Sequence, residues 1–187
     1  MWPWGHAAVG YLLYTVYRRK RFDLRPHGVA VVALAVGTQL PDLIDKPLAW
    51  QYALLPNGRS LGHSLVVALL LVALLWVVAR RVDAGESAVA FGVGYVGHLF
   101  GDAFYHVLAG EFYYLGFLGW PLVPAVEYDL AGKGFLASLL SLELGPDAVF
   151  ELGLALIAMA LWYRHGCPGL SVLLPGYSEG DPGEQPE

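Results

Sequence analysis

Phe91-Gly-Val-Gly-Tyr-Val-Gly-His98-Leu-Phe-Gly-Asp102-Ala-Phe-Tyr-His106 lies inside an apolar run, Ser87 to Ala109, long enough to cross a bilayer, for which about 20 apolar residues suffice. Ionisable side chains are costly at that depth, so they mark a functional site or a partnered polar cluster. His98 and Asp102 are four residues apart, which on a helix sets them about 40° from each other on one face. An imidazole and a carboxylate on one face supply two ligands for a divalent metal. They equally make a His–Asp hydrogen bond within a helical bundle, and this segment alone does not separate the two.

Composition sets the frame. Of 187 residues, 57% are hydrophobic and only 14% charged, against about 25% charged in soluble domains. That deficit and the apolar runs predict an all-α integral membrane protein. The net charge of −5 owes much to Ser178–Glu187, which holds four acidic residues and no basic one. The single cysteine, Cys167, excludes an internal disulfide framework and any CxxC site. Nucleic acid is excluded as a partner, since the only dense basic cluster is a short loop.

Five apolar segments are expected to form a bundle of about five transmembrane helices: Trp2–Tyr17, Pro26 to about Leu43, Leu61–Ala79, Ser87–Ala109 and Ala148–Tyr163. The first has its basic residues after the apolar run and no small-residue cleavage site, so it reads as a retained helix and not a signal peptide. The Gly110–Asp147 connection, with prolines in Gly116-Phe-Leu-Gly-Trp-Pro-Leu-Val-Pro124, suits a re-entrant or interfacial segment before the last helix. Residues 1–165 form one domain and 166–187 are expected to be a disordered acidic tail. With the N-terminus outside, the cytoplasmic side holds Arg18, Arg19, Lys20, Arg21, Arg25, Arg80, Arg81 and Arg164, and the outer side only Lys46, Arg59 and Lys133. Basic loops stay inside, so the N-terminus is expected to be extracytoplasmic and the C-terminus cytoplasmic.

On that topology the polar residues converge. His6 is near the outer end of the first segment, Asp42 and Asp45 close the second, His63 and Ser64 open the third, and His98 and Asp102 lie in the outer half of the fourth. Four segments thus bring imidazoles and carboxylates to one depth, where unrelated structural histidines would have no reason to gather. A donor set without thiolates suits zinc, manganese or iron, one ion or two, and metal-assisted hydrolysis is the chemistry such sites support. Arg59, one turn before His63 if a helix begins near Ser60, is expected at the rim, on an anionic group. Asp45 is a candidate base, and His106 and Ser64 are expected behind the ligands. His27 and His165 are expected to be solvated. Glu127, Asp129 and Glu151 have no position that the sequence fixes. Gly92, Gly94, Gly97 and Gly101 are expected to let helices approach closely.

Gly5-His6, Leu40-Pro-Asp-Leu-Ile-Asp45, Arg59-Ser-Leu-Gly-His-Ser64, Gly97-His-Leu-Phe-Gly-Asp102 and Trp120-Pro-Leu122 together resemble the YdjM-like family of inner-membrane proteins, described as membrane-bound, metal-dependent hydrolases. The resemblance covers roughly residues 5–125. It implies His6, Asp42, His63, His98 and Asp102 as metal ligands, with Asp45 and Arg59 catalytic and Ser64 and His106 behind them. The cofactor implied is a divalent metal, zinc or manganese, one or two ions. The activity implied is hydrolysis at the extracytoplasmic face of the inner membrane, on a membrane lipid or a lipid-linked anionic phosphoester. The chain departs from the family pattern where a leading His is expected before the third motif: Asn57-Gly58 stand there, one donor fewer. The alternative is a non-catalytic membrane protein whose His/Asp cluster is a structural metal site or a polar packing network.

Overall fold

The computed structural model describes residues 1–127 and 145–179. Among them there is no strand. The long helices are α1 (Pro3–Phe22), α2 (Gly28–Trp50), α3 (Leu65–Ala79), α4 (Gly85–Ala109) and α5 (Pro146–Arg164), followed by a short α6 (Leu170–Leu173). Two 3₁₀ segments, Arg80–Val82 and Phe112–Gly119, follow α3 and α4. Three helical stretches have both the length and the hydropathy to cross a membrane: Gly28–Trp50, Leu65–Val82 and Pro146–Arg164.

Local chemistry sets most of the boundaries. Pro3 and Pro146 sit in the first turns of α1 and α5, where a missing N–H costs nothing. Arg19, Lys20 and Arg21 occupy the last turn of α1, favourably placed against its negative end. Gly110 closes α4 at φ 72°, a conformation that glycine adopts freely.

Two expected boundaries are corrected. The second segment does not end near Leu43: α2 runs through Pro41 and Pro47 to Trp50, so Asp42 and Asp45 lie inside a helix. In a membrane helix, packed neighbours make the loss of a backbone hydrogen bond tolerable. The third helix does not begin near Ser60 either. Ser64 is its N-cap, accepting the amide of Val67 at 3.3 Å, and Arg59 to His63 form a loop.

Helices α2 and α4 lie backbone to backbone because Gly37 faces the carbonyl of Phe91 and Gly94 faces that of Leu34. Any Cβ at either position would collide with backbone. Small residues at such a contact are the usual route to close packing in membranes. Gly94→Ala is therefore expected to destabilise by about 1–3 kcal/mol through overpacking. Gly153 on α5 has open space around it, so Gly153→Ala should be neutral or gain up to about 1 kcal/mol. Melting temperatures in detergent check both.

Around the α2–α4 pair, α1 packs on α2, α4 and α5, burying Ala8, Tyr11 and Tyr14 with Leu34 and Ala90. Helix α3 leans on α4 through Ala68, Phe91, Tyr95 and Leu99, while Leu69, Leu70 and Leu74 face outward. The basic end of α1 meets the start of α4. Arg18 is buried and paired with Glu86, which also accepts the Tyr14 hydroxyl at 2.9 Å. His165 is not simply solvated as expected, because its Nδ1 meets the Tyr11 hydroxyl at 2.8 Å.

Of the expected tail 166–187, residues 180–187 lie outside the described ones, while 166–179 include α6. Glu179 there accepts the amides of Gly28 and Gly169, both at 2.7 Å, and the Ser171 hydroxyl. Burial would raise its carboxyl, but these hydrogen bonds win and hold it below the ordinary value. The expected re-entrant segment contains the 3₁₀ turn Phe112–Gly119, whose Phe117 is buried. Residues 128–144 of that connection, Asp129 among them, lie outside the described residues.

Candidate metal centre

Four elements bring their polar side chains together: α1 with His6, α2 with Asp42 and Asp45, the loop before α3 with His63, and α4 with His98 and Asp102. All six are buried, and His6, Asp45, His63 and His98 are 0% exposed. The i, i+4 spacing of His98 and Asp102 places both on the face of α4 that meets α1 and α2, as the sequence predicts.

The outer partners of the imidazoles fix their tautomers. His98 Nδ1 lies 2.7 Å from the carbonyl oxygen of Thr38, which can only accept, so Nδ1 carries the proton. His63 Nδ1 lies 2.8 Å from Asp45 Oδ2 and is protonated for the same reason. Such outer hydrogen bonds are what orient ligating imidazoles. Their Nε2 atoms face each other at 3.1 Å, so either a proton on one of them or a metal ion has to lie between the two lone pairs.

Carboxylate oxygens surround this pair. Asp42 Oδ1 is 3.5 Å from His63 Nε2 and 3.9 Å from His98 Nε2. Asp102 Oδ2 is 3.3 Å and 4.0 Å from the same two atoms. Buried Asp42 Oδ1 has no hydrogen-bond partner among the described residues. With metal–ligand bonds of about 2.0–2.2 Å, two donors of a tetrahedral ion stand about 3.4 Å apart. The separations here bracket that value, so the donor set fits a divalent ion. The donor atoms of Asp42, His63 and His98 lie within 4.8 Å of one another, as do those of His6, His98 and Asp102.

His6 stands differently. Its ring stacks on His98 at 3.6 Å and 15°, so the in-plane lone pairs of the two rings cannot converge on one ion. Its Nε2 lies 3.3 Å from Asp102 Oδ1. That oxygen also accepts the Met1 ammonium at 2.7 Å.

Asp45, expected as a base, reaches the centre through the outer nitrogen of His63 and through the loop it holds. Its oxygens accept the amides of Ser60 and Gly62, both at 2.7 Å, and that of His63 at 3.2 Å. Gly62 has to be glycine, since a Cβ would fall 2.9 Å from the Pro41 carbonyl. The amides of this loop are thus turned onto Asp45. Arg59 donates from Nε to Asp102 Oδ2 at 2.9 Å, and its Nη1 lies 3.5 Å from His106 Nε2. With its side chain 28% exposed, Arg59 lies between the centre and solvent.

His106 is outside the donor group, stacked on Tyr114 and 3.4 Å from Glu111. Ser64 donates to the carbonyl of Trp120, so its hydroxyl serves the loop and the cap of α3. Glu127 is exposed, and its amide donates to the Tyr113 hydroxyl. Glu151 is buried behind the centre, accepting the Trp2 amide at 2.7 Å and the Tyr105 hydroxyl at 3.2 Å.

Three residues escaped the sequence reading. Lys46 holds Asp42 Oδ2 at 2.5 Å, and its i, i+4 spacing could have revealed it. Asn57, in the Asn57-Gly58 pair before Arg59, accepts the Arg59 amide at 2.8 Å and donates to the Val126 carbonyl at 2.7 Å. Thr38 acts through its carbonyl, for which a sequence carries no signal.

The model of a family described as YdjM inner membrane protein matches residues 1–165. No curated protein and no solved structure matches the chain.

Proposed function

The chain belongs to the YdjM inner membrane protein family, and from that premise we propose that it is a multi-pass hydrolase that depends on one divalent ion, zinc or manganese. The convergence of His63 Nε2, His98 Nε2 and the carboxylate of Asp42, all buried, carries this reading. A single ion is favoured because His98 belongs to both donor groups, its Nδ1 is taken by the Thr38 carbonyl, and the remaining imidazole nitrogen has one lone pair. His63, His98, Asp42 and Asp102 would hold the ion, and His6 would brace Asp102 from behind. When bound, a divalent ion supplies Lewis-acid polarisation and water activation.

The chain's own residues do the rest. Asp45 and the Thr38 carbonyl hold the two imidazoles in the ligating tautomer. Arg59, fixed through Nε by Asp102, orients an anionic group of the substrate with its planar fork. His106, with its side chain 20% exposed and beside Glu111, carries protons between the centre and water. The bias of basic residues towards the end holding Arg18–Arg25, Arg80, Arg81 and Arg164 puts that end in the cytoplasm. Helices α1 to α5 are then five spans, the 3₁₀ turn after α4 is re-entrant, and the centre opens to the extracytoplasmic side, on an anionic lipid or lipid-linked phosphoester.

One observation favours the non-catalytic reading. Asp42 and Asp102 already have fixed cations in Lys46 and Arg59, as a polar packing network would. Arg59→Lys separates the two. It keeps the charge and loses the bidentate fork, so metal content should stay while hydrolysis of a phosphoester-lipid panel in detergent falls by about 10²-fold or more, a positioning loss. Wild-type protein that is metal-replete and inert across the panel would favour the packing role.

A further inference from the structure

The loop that carries His63 is held from two sides. Gly62 and His63 share one peptide unit, and its two polar atoms go to different helices. The His63 amide donates to Asp45 Oδ2 on α2 at 3.2 Å. The Gly62 carbonyl accepts the hydroxyl of Tyr95, on α4, at 2.6 Å. In a trans peptide the C=O and N–H point in opposite directions, and the only cis bond among the described residues joins Trp120 to Pro121. The two helices therefore grip this plane from opposite edges, and it cannot turn without breaking one of the two bonds. The plane leads directly into the Cα of His63, so its setting aims the imidazole.

Tyr95 is itself fixed. It is 0% exposed, and its ring packs with Phe91 and Leu99 of α4 and Ala68 of α3. Its backbone lies where α2 and α4 touch, since a Cβ on Gly37 would fall 3.1 Å from the Tyr95 amide nitrogen. The cluster around the ring is apolar, so a phenylalanine would satisfy the packing. A buried phenol is favoured over a plain ring where its O–H reaches a partner, and here the partner is the loop.

Helix spacing completes the arrangement. Tyr95, His98 and Asp102 follow at i, i+3 and i+7, on one face of α4. The first holds the loop carbonyl. The other two meet His63 Nε2, the imidazole at 3.1 Å and the carboxylate at 3.3 Å. One helix thus carries both the groups that His63 has to meet and the group that sets where His63 stands.

We propose that Tyr95 is a positioning residue of the metal centre, fixing the Gly62–His63 peptide and with it the reach of His63 Nε2 towards the ion; this rests on the reading that an ion is bound there. Its role differs from that of Asp45, which also takes the His63 Nδ1 proton. Tyr95 bonds the backbone, so it sets position and not tautomer.

The test titrates cobalt(II), a coloured stand-in for zinc, into the full metal-free chain in detergent. Tyr95→Phe keeps the ring and loses the donor. Its cobalt affinity should fall about tenfold, the low end of the loss expected for an outer partner of a ligating histidine, and its visible bands should shift. Tyr95→4-aminophenylalanine puts an N–H donor back at the same place and should bind as the wild type does. Metal-free Tyr95→Phe should still melt cooperatively, but its melting temperature should rise less on adding cobalt, because that rise follows the affinity. Tyr14→Phe removes a hydroxyl from Glu86, away from the centre, and should leave affinity and bands unchanged. If Tyr95→Phe matches the wild type in affinity and bands, the proposal is overturned and the metal reading stands. It is overturned too if the amino variant fails to restore binding, or if Tyr95→Phe no longer melts cooperatively, since the hydroxyl then serves the fold. A wild-type chain that binds neither cobalt nor zinc would overturn the metal reading and the proposal with it.

Discussion

Asp102→Ala is expected to lose the bound divalent ion and to cost about 3–5 kcal/mol of stability, the usual consequence of removing one partner from a buried ionic cluster. Asp102 is 3% exposed and is the point on which four groups meet. It accepts Arg59 Nε at 2.9 Å and lies 3.3 Å from both His6 Nε2 and His63 Nε2. Its other close partner is the Met1 ammonium. Without the carboxylate, Arg59 keeps its charge and loses its anchor. Metal content of the purified protein and its melting temperature measure the two effects. Asp102→Asn keeps the shape and so isolates the charge. His27→Ala and His165→Ala, far from the donors, should keep full metal content. Equal metal in all these variants would refute a shared site.

The second large effect is expected from a residue that touches no ion. Asp45→Asn should weaken metal affinity by about 10–100-fold, as loss of an outer partner of a ligating histidine typically does. The reason is tautomeric. Asp45 accepts the His63 Nδ1 proton and three loop amides at 2.7–3.2 Å. An asparagine can present its oxygen to some of these donors, but its NH₂ then faces the others. The imidazole of His63 is no longer held with a bare Nε2 towards His98. Chelator competition across pH distinguishes this from simple unfolding, because Asp45→Asn should retain cooperative melting. If affinity is unchanged, Asp45 only shapes the loop.

Much of this site is legible in the sequence, and for one reason. Polar residues inside apolar segments are so costly that their positions report depth directly. His98 with Asp102 in a glycine-rich run, Asp42 with Asp45, and His63 could therefore be grouped without knowing how the helices pack. What the sequence could not convey was the division of labour. Asp42 and Asp45 have the same residue type three positions apart, yet Asp42 turns an oxygen to the inner Nε2 atoms while Asp45 takes three amides and the outer Nδ1 of His63. That difference depends on where the 57–64 loop folds back, and on Gly62 allowing it to lie against Pro41. His6 looked equivalent to the other histidines until its ring was seen stacked on His98.

The boundaries missed near Leu43 and Ser60 have the same origin. Proline and serine signals reflect local propensity, whereas helices packed in a bundle tolerate an internal proline. The loop takes its shape from a carboxylate fifteen residues earlier in the chain. Helices α1 and α4 fall outside the three described stretches apolar enough to span by hydropathy alone, whereas α2 qualifies although it carries Asp42, Asp45 and Lys46.

The central claim is that one divalent ion is held between the two imidazoles and two of the carboxylates. Anomalous scattering at the zinc edge, from crystals of zinc-loaded protein, tests it most directly. The account predicts a single peak per chain, within bonding distance of His63 Nε2, His98 Nε2, Asp42 and Asp102, with His6 behind it. Zinc-replete crystals without a peak there, or with two peaks sharing the cluster, would contradict it.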